Sequence, residues 1–113
     1  MLDRLTSLER ELRDVDAMLA DPDVFADQQR LVKLTRRRKE LEPIVDRATE
    51  LRRVTDDLAT AREMFAELTG EDREAMREEI ESSDHRIEEL EAEIRILLLP
   101  RDPNDDRNVI VEI

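Results

Sequence analysis

Residues 31–68 read LVKLTRRRKELEPIVDRATELRRVTDDLATAREMFAEL, and their apolar side chains recur mostly at steps of three, four and seven. This spacing places one apolar stripe along one face of an α-helix. Since the period continues to the Thr69-Gly70 stop, residues 28–68 are predicted to form one rod about 60 Å long at ~1.5 Å per residue. The stripe consists of Leu31, Leu34, Leu41, Ile44, Val45, Ala48, Leu51, Val54, Leu58, Ala61, Phe65 and Leu68.

Pro43 lies inside this predicted helix. Its ring clashes with the carbonyl of Lys39, four residues earlier, and its nitrogen cannot donate a hydrogen bond. The apolar stripe passes through Pro43 without a change of phase, so the sequence predicts one kinked helix and not two separate helices. Arg38 occupies a position of the stripe, which indicates that the stripe is accessible to solvent at that level.

A shorter heptad pattern precedes the long segment. Its seam residues alternate at steps of three and four, and Pro22 then ends the helix. Val24 and Phe25 form a predicted apolar plug in the corner, and Asp27 is the expected N-cap of the long helix. The seam residues are Leu5, Leu8, Leu12, Val15 and Leu19.

A third heptad pattern follows Gly70, with one small polar residue, Ser83, on its seam. Three heptad helices joined by short connections are typical of an antiparallel coiled-coil bundle. The predicted fold is therefore all-α: an antiparallel three-helix coiled-coil bundle with a very long kinked central helix. The seam residues of the third helix are Met76, Ile80, Ser83, Ile87, Leu90, Ile94 and Leu97.

The end of the sequence differs from the helices. Residues 100–108 contain two prolines among Asp and Asn residues, which is typical of a turn or linker. Residues 109–113 read VIVEI and predict a β-strand, for which the sequence offers no partner strand. We therefore expect a helical coiled-coil domain at 1–99, followed at 100–113 by a linker and the first strand of a truncated following domain.

Composition limits the function classes. The chain has a formal net charge of −12, and because affinity for phosphates comes from Lys and Arg, general nucleic-acid binding is disfavoured. The sequence contains no cysteine, no pattern of a signal peptide and no apolar run that could span a bilayer. We expect a cytoplasmic protein with a basic or neutral protein partner.

Side chains that could perform chemistry are not grouped in the sequence. The many Glu pairs, such as Glu78/Glu79, fit solvated helix faces better than a catalytic cleft. His85 is predicted on an outer face and has no second His or Cys with which to bind zinc. Asp105 and Asp106 lack the glycine of a calcium-binding loop. We expect no catalytic residue, no metal site and no cofactor, and hence no enzyme activity.

Charge is unevenly distributed along the chain. Residues 30–39 carry six Lys or Arg and no acid, whereas residues 71–93 carry eleven acids against three arginines. The simpler interpretation is that the basic segment lies beside an acidic helix surface of the same molecule. The alternative is a partner contact, either to RNA phosphate or to an acidic protein, made by Arg36, Arg37, Arg38 and Lys39.

The last seventeen residues carry a resemblance. Residues 97–113, LLLPRDPNDDRNVIVEI, resemble the junction between the first two domains of bacterial class I peptide chain release factors. Within that family they are most similar to the type-one factors, which read UAA and UAG. The stretches MLDRL at 1–5, ADPDV at 20–24 and ELEPIV at 40–45 resemble the same family in the same order. The resemblance thus extends over the whole chain.

This resemblance implies the helical N-terminal domain of a protein that enters the ribosomal decoding site at a stop codon and triggers peptidyl-tRNA hydrolysis. In the family that chemistry needs a Gly-Gly-Gln motif and a Pro-x-Thr tripeptide, and this sequence contains neither. The implied partners are the ribosome, at the stalk base of the large subunit, and the translational GTPase that removes the factor. Direct RNA contact by this domain stays open.

Two other functions are compatible with the helices. A free-standing coiled-coil scaffold or adaptor would dimerise through its heptads in a concentration-dependent way, which light scattering detects. A tRNA-contacting helical arm, like that of seryl-tRNA synthetase, would carry a basic exposed face. The net charge of −12 weighs against such an arm, and tRNA binding at low salt tests it.

Overall fold

The computed structural model describes residues 1–100, which form four helices and no strand. The helices are α1 (Leu2–Leu19), α2 (Pro22–Ala26), α3 (Gln28–Phe65) and α4 (Gly70–Leu97). The described part of the chain is thus all-α, as predicted. The predicted strand, and all of the predicted linker except its first residue, lie outside the described residues.

The corner between α1 and α3 contains the short helix α2. Pro22 occupies its first turn, and the Asp21 side chain caps it by accepting a hydrogen bond from the Asp23 backbone N–H at 3.0 Å. Val24 is fully buried, but Phe25 is 62% exposed. The predicted apolar plug is therefore wrong for Phe25, because a single helical turn directs neighbouring side chains to different sides.

α3 is one continuous helix through Pro43. The predicted N-cap is confirmed, since the Asp27 carboxylate accepts a hydrogen bond from the Arg30 backbone N–H at 3.3 Å. The helix ends at Phe65, three residues before the predicted end at Leu68, because the N–H groups of Glu67 and Leu68 bond to carbonyls three residues back and tighten the chain into a turn. The continuity of α3 is confirmed, and the kink stays a prediction.

Gly70 is the first residue of α4 and directly follows the connection from α3. Its φ is +64°, a left-handed conformation that glycine adopts without steric cost. Beyond it, α4 runs back along α3. Arg62 Nη2 lies 3.2 Å from Asp84 Oδ1 near this connection, and Arg47 Nε lies 3.3 Å from Glu93 Oε2 farther away. α4 is therefore antiparallel to α3.

α1 is also antiparallel to α3. Thr6 Oγ1 accepts a hydrogen bond from Arg52 Nη2 at 2.9 Å, whereas Asp16 pairs with the earlier Arg38 at 2.7 Å. α1 thus lies along the earlier part of α3 and α4 along its later part, and all three helices contribute to one core cluster near the middle. Its buried members are Leu5, Ile44, Ala48, Leu51, Val54, Leu90 and Ile94.

The end of the third predicted seam needs a correction. Leu90 and Ile94 are fully buried, as the seam predicts. Leu97, however, is exposed, and it is Leu98 that packs against the core cluster. At this level α1 borders α4, since Arg4 Nη2 donates to the Leu98 carbonyl at 3.5 Å. The buried side of the chain at the end of α4 therefore faces α1.

Candidate interaction surface

The basic segment forms the first turns of α3, where residues 28–39 include no Asp or Glu. Successive residues of a helix are rotated by about 100° around its axis, so the six cations at 30–39 cannot all share one face. The structure divides them between the side that packs on α1 and a side that faces solvent. This division is the main geometric feature of the surface.

Arg37 lies on the α1 side. Its Nη2 donates to Glu11 Oε1 at 2.8 Å, its Nε donates to the second oxygen of Glu11, and its Nη1 lies 3.0 Å from Glu40 Oε2. The hydrogen bonds with Glu11 raise the pKa of Arg37 and hold the pKa of the Glu11 carboxyl below its usual value, while burial opposes both shifts. Arg37 therefore links α3 to α1.

Arg38 is also turned toward α1. Its Nε lies 2.7 Å from Asp16 Oδ1, and its Nη1 lies 2.8 Å from Glu42 Oε2, one turn along α3. The hydrogen bond with Asp16 is the main reason that the pKa of Arg38 is raised. Arg37 and Arg38 thus contact an acidic helix surface of the same molecule, as the simpler interpretation predicts.

Arg36 and Lys39 lie on the solvent side of α3. They are exposed together with Lys33, and none of the three has an ion-pair partner among residues 1–100. Val32 lies beside Lys33 and Arg36 and is 49% exposed. Two shallow grooves follow this side of the helix, and both Val32 and Arg36 line each of them. The solvent side is therefore cationic, with one exposed apolar side chain at its N-terminal end.

The structure separates residues that the sequence interpretation grouped. Of residues 36–39, the middle two contact α1 and the outer two face solvent, where they are joined by Lys33 and Val32. Sequence reasoning did not single out Lys33 or Val32. Helical spacing could have identified both residues, because residues 29, 32, 33 and 36 follow the i, i+3, i+4, i+7 spacing of one helix face. A partner contact by residues 36–39 stays a prediction.

A cavity lies where α1, α3 and the end of α4 meet. It is lined by apolar side chains and by charged ones, and its lining includes Leu8, Pro43, Ile44, Leu98, Arg4 and Lys39. Among residues 1–100, no polar or charged side chain is buried. The cavity is therefore bordered by packing residues and by partly exposed charges.

Other side chains that could take part in chemistry lie apart from one another. His85 is on the outer face of α4, as predicted, and its Nε2 lies 3.0 Å from Glu89 Oε1 one turn along. Asp105 and Asp106 lie outside the described residues. Within 1–100, no three His, Cys, Asp or Glu side chains are placed to hold a metal ion, and none of the four helices has the length and apolar character to cross a bilayer.

Comparisons with known proteins agree with one another. The PCRF domain family matches residues 8–113. Proteins named peptide chain release factor 1 match the whole chain: that of Acidobacterium capsulatum is 40% identical over 113 residues, covering 32% of that protein, and that of Oceanobacillus iheyensis is 43% identical over 114 residues, covering 32%. The chain thus spans about a third of the length of these relatives. No solved structure matches it.

Proposed function

Because the chain belongs to the PCRF domain family, we propose that it is the N-terminal helical domain of a peptide chain release factor and serves translation termination. The observation that carries the proposal is the 40% identity with a peptide chain release factor 1 over all 113 residues. The whole protein would recognise UAA and UAG and trigger peptidyl-tRNA hydrolysis on the ribosome.

This domain is non-catalytic in the proposal. The sequence contains a single glycine and no proline followed two residues later by Thr, so the two motifs that the family resemblance associates with hydrolysis and codon reading are not in this chain. The domain would use no cofactor. Its role is to provide an interaction surface on a long helical support.

The finer architecture belongs to the same proposal. α3 is antiparallel to both α1 and α4, and buried residues such as Leu5, Leu51 and Leu90 bring all three helices into one core cluster. These contacts support an antiparallel three-helix coiled-coil bundle, and the kink of its long central helix at Pro43 is part of the proposal. Such a support would hold the exposed side of α3 at a fixed distance from the rest of the protein.

The proposed partners are the ribosome, at the stalk base of the large subunit, and the translational GTPase that removes the factor. The action would take place in the cytoplasm. An acidic chain with a local basic face can approach a basic ribosomal protein with its acidic surface while its basic face stays available.

A domain exchange tests the proposal. The segment of the Acidobacterium capsulatum protein that aligns with this chain is replaced by the chain itself, and formylmethionine release is measured on ribosomes programmed with UAA, UAG or UGA. We expect release at UAA and UAG with kcat/KM within about threefold of the parent, a difference of less than about 1 kcal/mol. The matched control carries an unrelated antiparallel helical segment of equal length and charge.

Two results would contradict the proposal. One is equal kcat/KM for the exchange protein and for the unrelated helical control, since the domain would then act as a passive spacer. The other is release of formylmethionine by this chain alone, since it would then contain the hydrolytic site.

A further inference from the structure

The most unusual surface of this acidic molecule is the solvent side of α3. We propose that the face formed by Val32, Lys33, Arg36 and Lys39, here called the cationic face, binds an acidic amphipathic helix of another protein. This inference concerns the surface itself and does not depend on the role in translation termination.

The geometry of the cationic face suits a helical partner. Lys33, Arg36 and Lys39 follow one another at three-residue intervals, a rise of about 4.5 Å each, so carboxylates on one side of a neighbouring helix can face all three. Val32 is exposed beside Lys33 and Arg36 and offers an apolar contact at the N-terminal end of the face. Thr35 is also exposed and lines one of the two grooves.

The charges point to a partner outside the described residues. Arg37 and Arg38, the cations between Arg36 and Lys39, are compensated by carboxylates of α1 and α3. Residues 28–39 contain no acid of their own, so the cationic face presents three positive charges although the chain as a whole is negative. An acidic partner would gain attraction here that it would find on few other parts of the surface.

The same features favour a protein over a nucleic acid. A phosphate backbone would leave the exposed side chain of Val32 without an apolar contact, and the basic segment at 28–39 contains no aromatic side chain on which a base could stack. The net charge of −12 would also repel a long polyanion. A short acidic helix with one apolar stripe satisfies both the charges and Val32.

Binding to a defined probe tests the inference. The probe is a fluorescein-labelled helical peptide of about 18 residues, roughly five turns, built from Glu, Ala and Leu with one apolar stripe. Its affinity for the 113-residue chain is measured by fluorescence anisotropy at several salt concentrations. The triple variant Lys33→Gln, Arg36→Gln, Lys39→Gln should bind at least about tenfold more weakly, a loss of about 1.4 kcal/mol. Val32→Ser should weaken binding without changing its salt dependence.

The matched control removes three exposed cations elsewhere, with Arg10→Gln, Arg13→Gln and Arg95→Gln. Far-UV circular dichroism verifies that all variants are folded. The inference is supported if the control binds like the unchanged chain and the two cationic-face variants do not.

Four results would overturn the inference. They are equal affinity for a peptide in which every Glu is replaced by Gln, an equal loss of affinity in the control triple variant, tighter binding of an RNA oligonucleotide of the same charge, and light-scattering evidence that the face is occupied by a second copy of the chain. The peptide measurement uses no ribosome, so its failure leaves the release-factor proposal untouched, and the reverse also holds.

Discussion

Arg86 of α4 binds both carboxylate oxygens of Glu50 on α3, with Nε 2.7 Å from Oε2 and Nη2 3.0 Å from Oε1. This two-point contact fixes the distance and the rotation of the two helices more strictly than a single hydrogen bond can. Because Glu50 makes this contact as a carboxylate, we expect the packing of α4 on α3 to weaken when the carboxyl is protonated. Measurements of stability can detect that weakening.

The hydrogen bonds from Arg86 are the main reason that the pKa of Glu50 is lowered. Because the folded state then holds the proton less tightly than the unfolded chain, whose Glu pKa is about 4.3, the contribution to stability is fully present above that pH and is lost as the pH falls through the lower folded value. We expect Glu50→Gln to destabilise the protein near neutral pH, and the deficit to shrink as the pH falls below about 4.3. Urea unfolding followed by circular dichroism across this range measures the deficit. In an Arg86→Gln background the same substitution should give a smaller pH-dependent deficit, because only the charges of Arg53 and Arg47 then lower the pKa of Glu50.

Two neighbouring arginines provide a test of the division of α3 into two sides. Arg37→Gln removes contacts with Glu11 and Glu40 and should lower the free energy of unfolding by about 0.5–1 kcal/mol at low salt, since these pairs are partly exposed. Arg36→Gln removes a cation of the cationic face and should leave stability unchanged within about 0.5 kcal/mol. Equal losses in the free energy of unfolding for both variants would contradict the finding that Arg37 faces α1 while Arg36 faces solvent.

Substitution of two isoleucines of α4 distinguishes the contribution of packing to stability from that of helix propensity. Ile94 is 0% exposed and Ile96 is 68% exposed. Ile94→Ala should lower the free energy of unfolding by about 2–5 kcal/mol, because it removes buried carbon atoms and leaves a cavity. Ile96→Ala changes the same residue type two positions away and should be neutral or slightly stabilising, because Ala is the better helix former. A similar loss for both would contradict the burial of this seam.

Substitutions of Gly70 test the backbone conformation at the start of α4. A Cβ at this position would have no other atom within 4 Å, so only the positive φ of +64° opposes a side chain. Gly70→Ala should therefore cost about 1–2 kcal/mol of stability. Gly70→Asn should cost less, because Asn tolerates the left-handed conformation better than Ala. Thermal unfolding of both variants gives the comparison, and an Ala variant at least as stable as the Asn variant would speak against the assigned turn.

Pro43 tests the predicted kink. Pro43→Ala supplies an N–H that can bond to the carbonyl of Lys39 and removes the ring clash, so it should raise the free energy of unfolding by up to about 3 kcal/mol. If the kink exists, spin labels at positions 29 and 57 should move apart in the variant as α3 straightens, as measured by electron-electron double resonance. An unchanged distance in a more stable variant would mean that α3 is already straight.

Much of the fold could be predicted because heptad spacing reports directly on which helix face is buried. Leu90 and Ile94, identified by that spacing, are fully buried, and the continuity of α3 followed from the unbroken phase at Pro43. The errors lie where helices end. Leu98 replaces Leu97 because α1 approaches α4 there, and Phe25 faces solvent because a single turn has little rotational constraint. Both depend on tertiary contacts that periodicity does not encode.

The candidate surface was only half predictable. Its location followed from charge, because a run of cations without acids is visible in any sequence. The sequence does not show how α3 is rotated about its axis. Because of this rotation Arg37 faces Glu11 while Arg36 faces solvent. Consecutive residues were therefore taken as one group, whereas a helix displays residues three and four apart as neighbours.

The shared core cluster at the middle of α3 has a consequence for how the molecule comes apart. Leu5 of α1 and Ile94 of α4 insert into the same cluster, whereas Val15 and Leu58 are buried outside it, toward the two ends of the molecule. Unfolding of either helix would expose apolar surface of the cluster against which the other helix packs. We therefore expect the segments of α1, α3 and α4 that meet in this cluster to unfold together, as one cooperative unit.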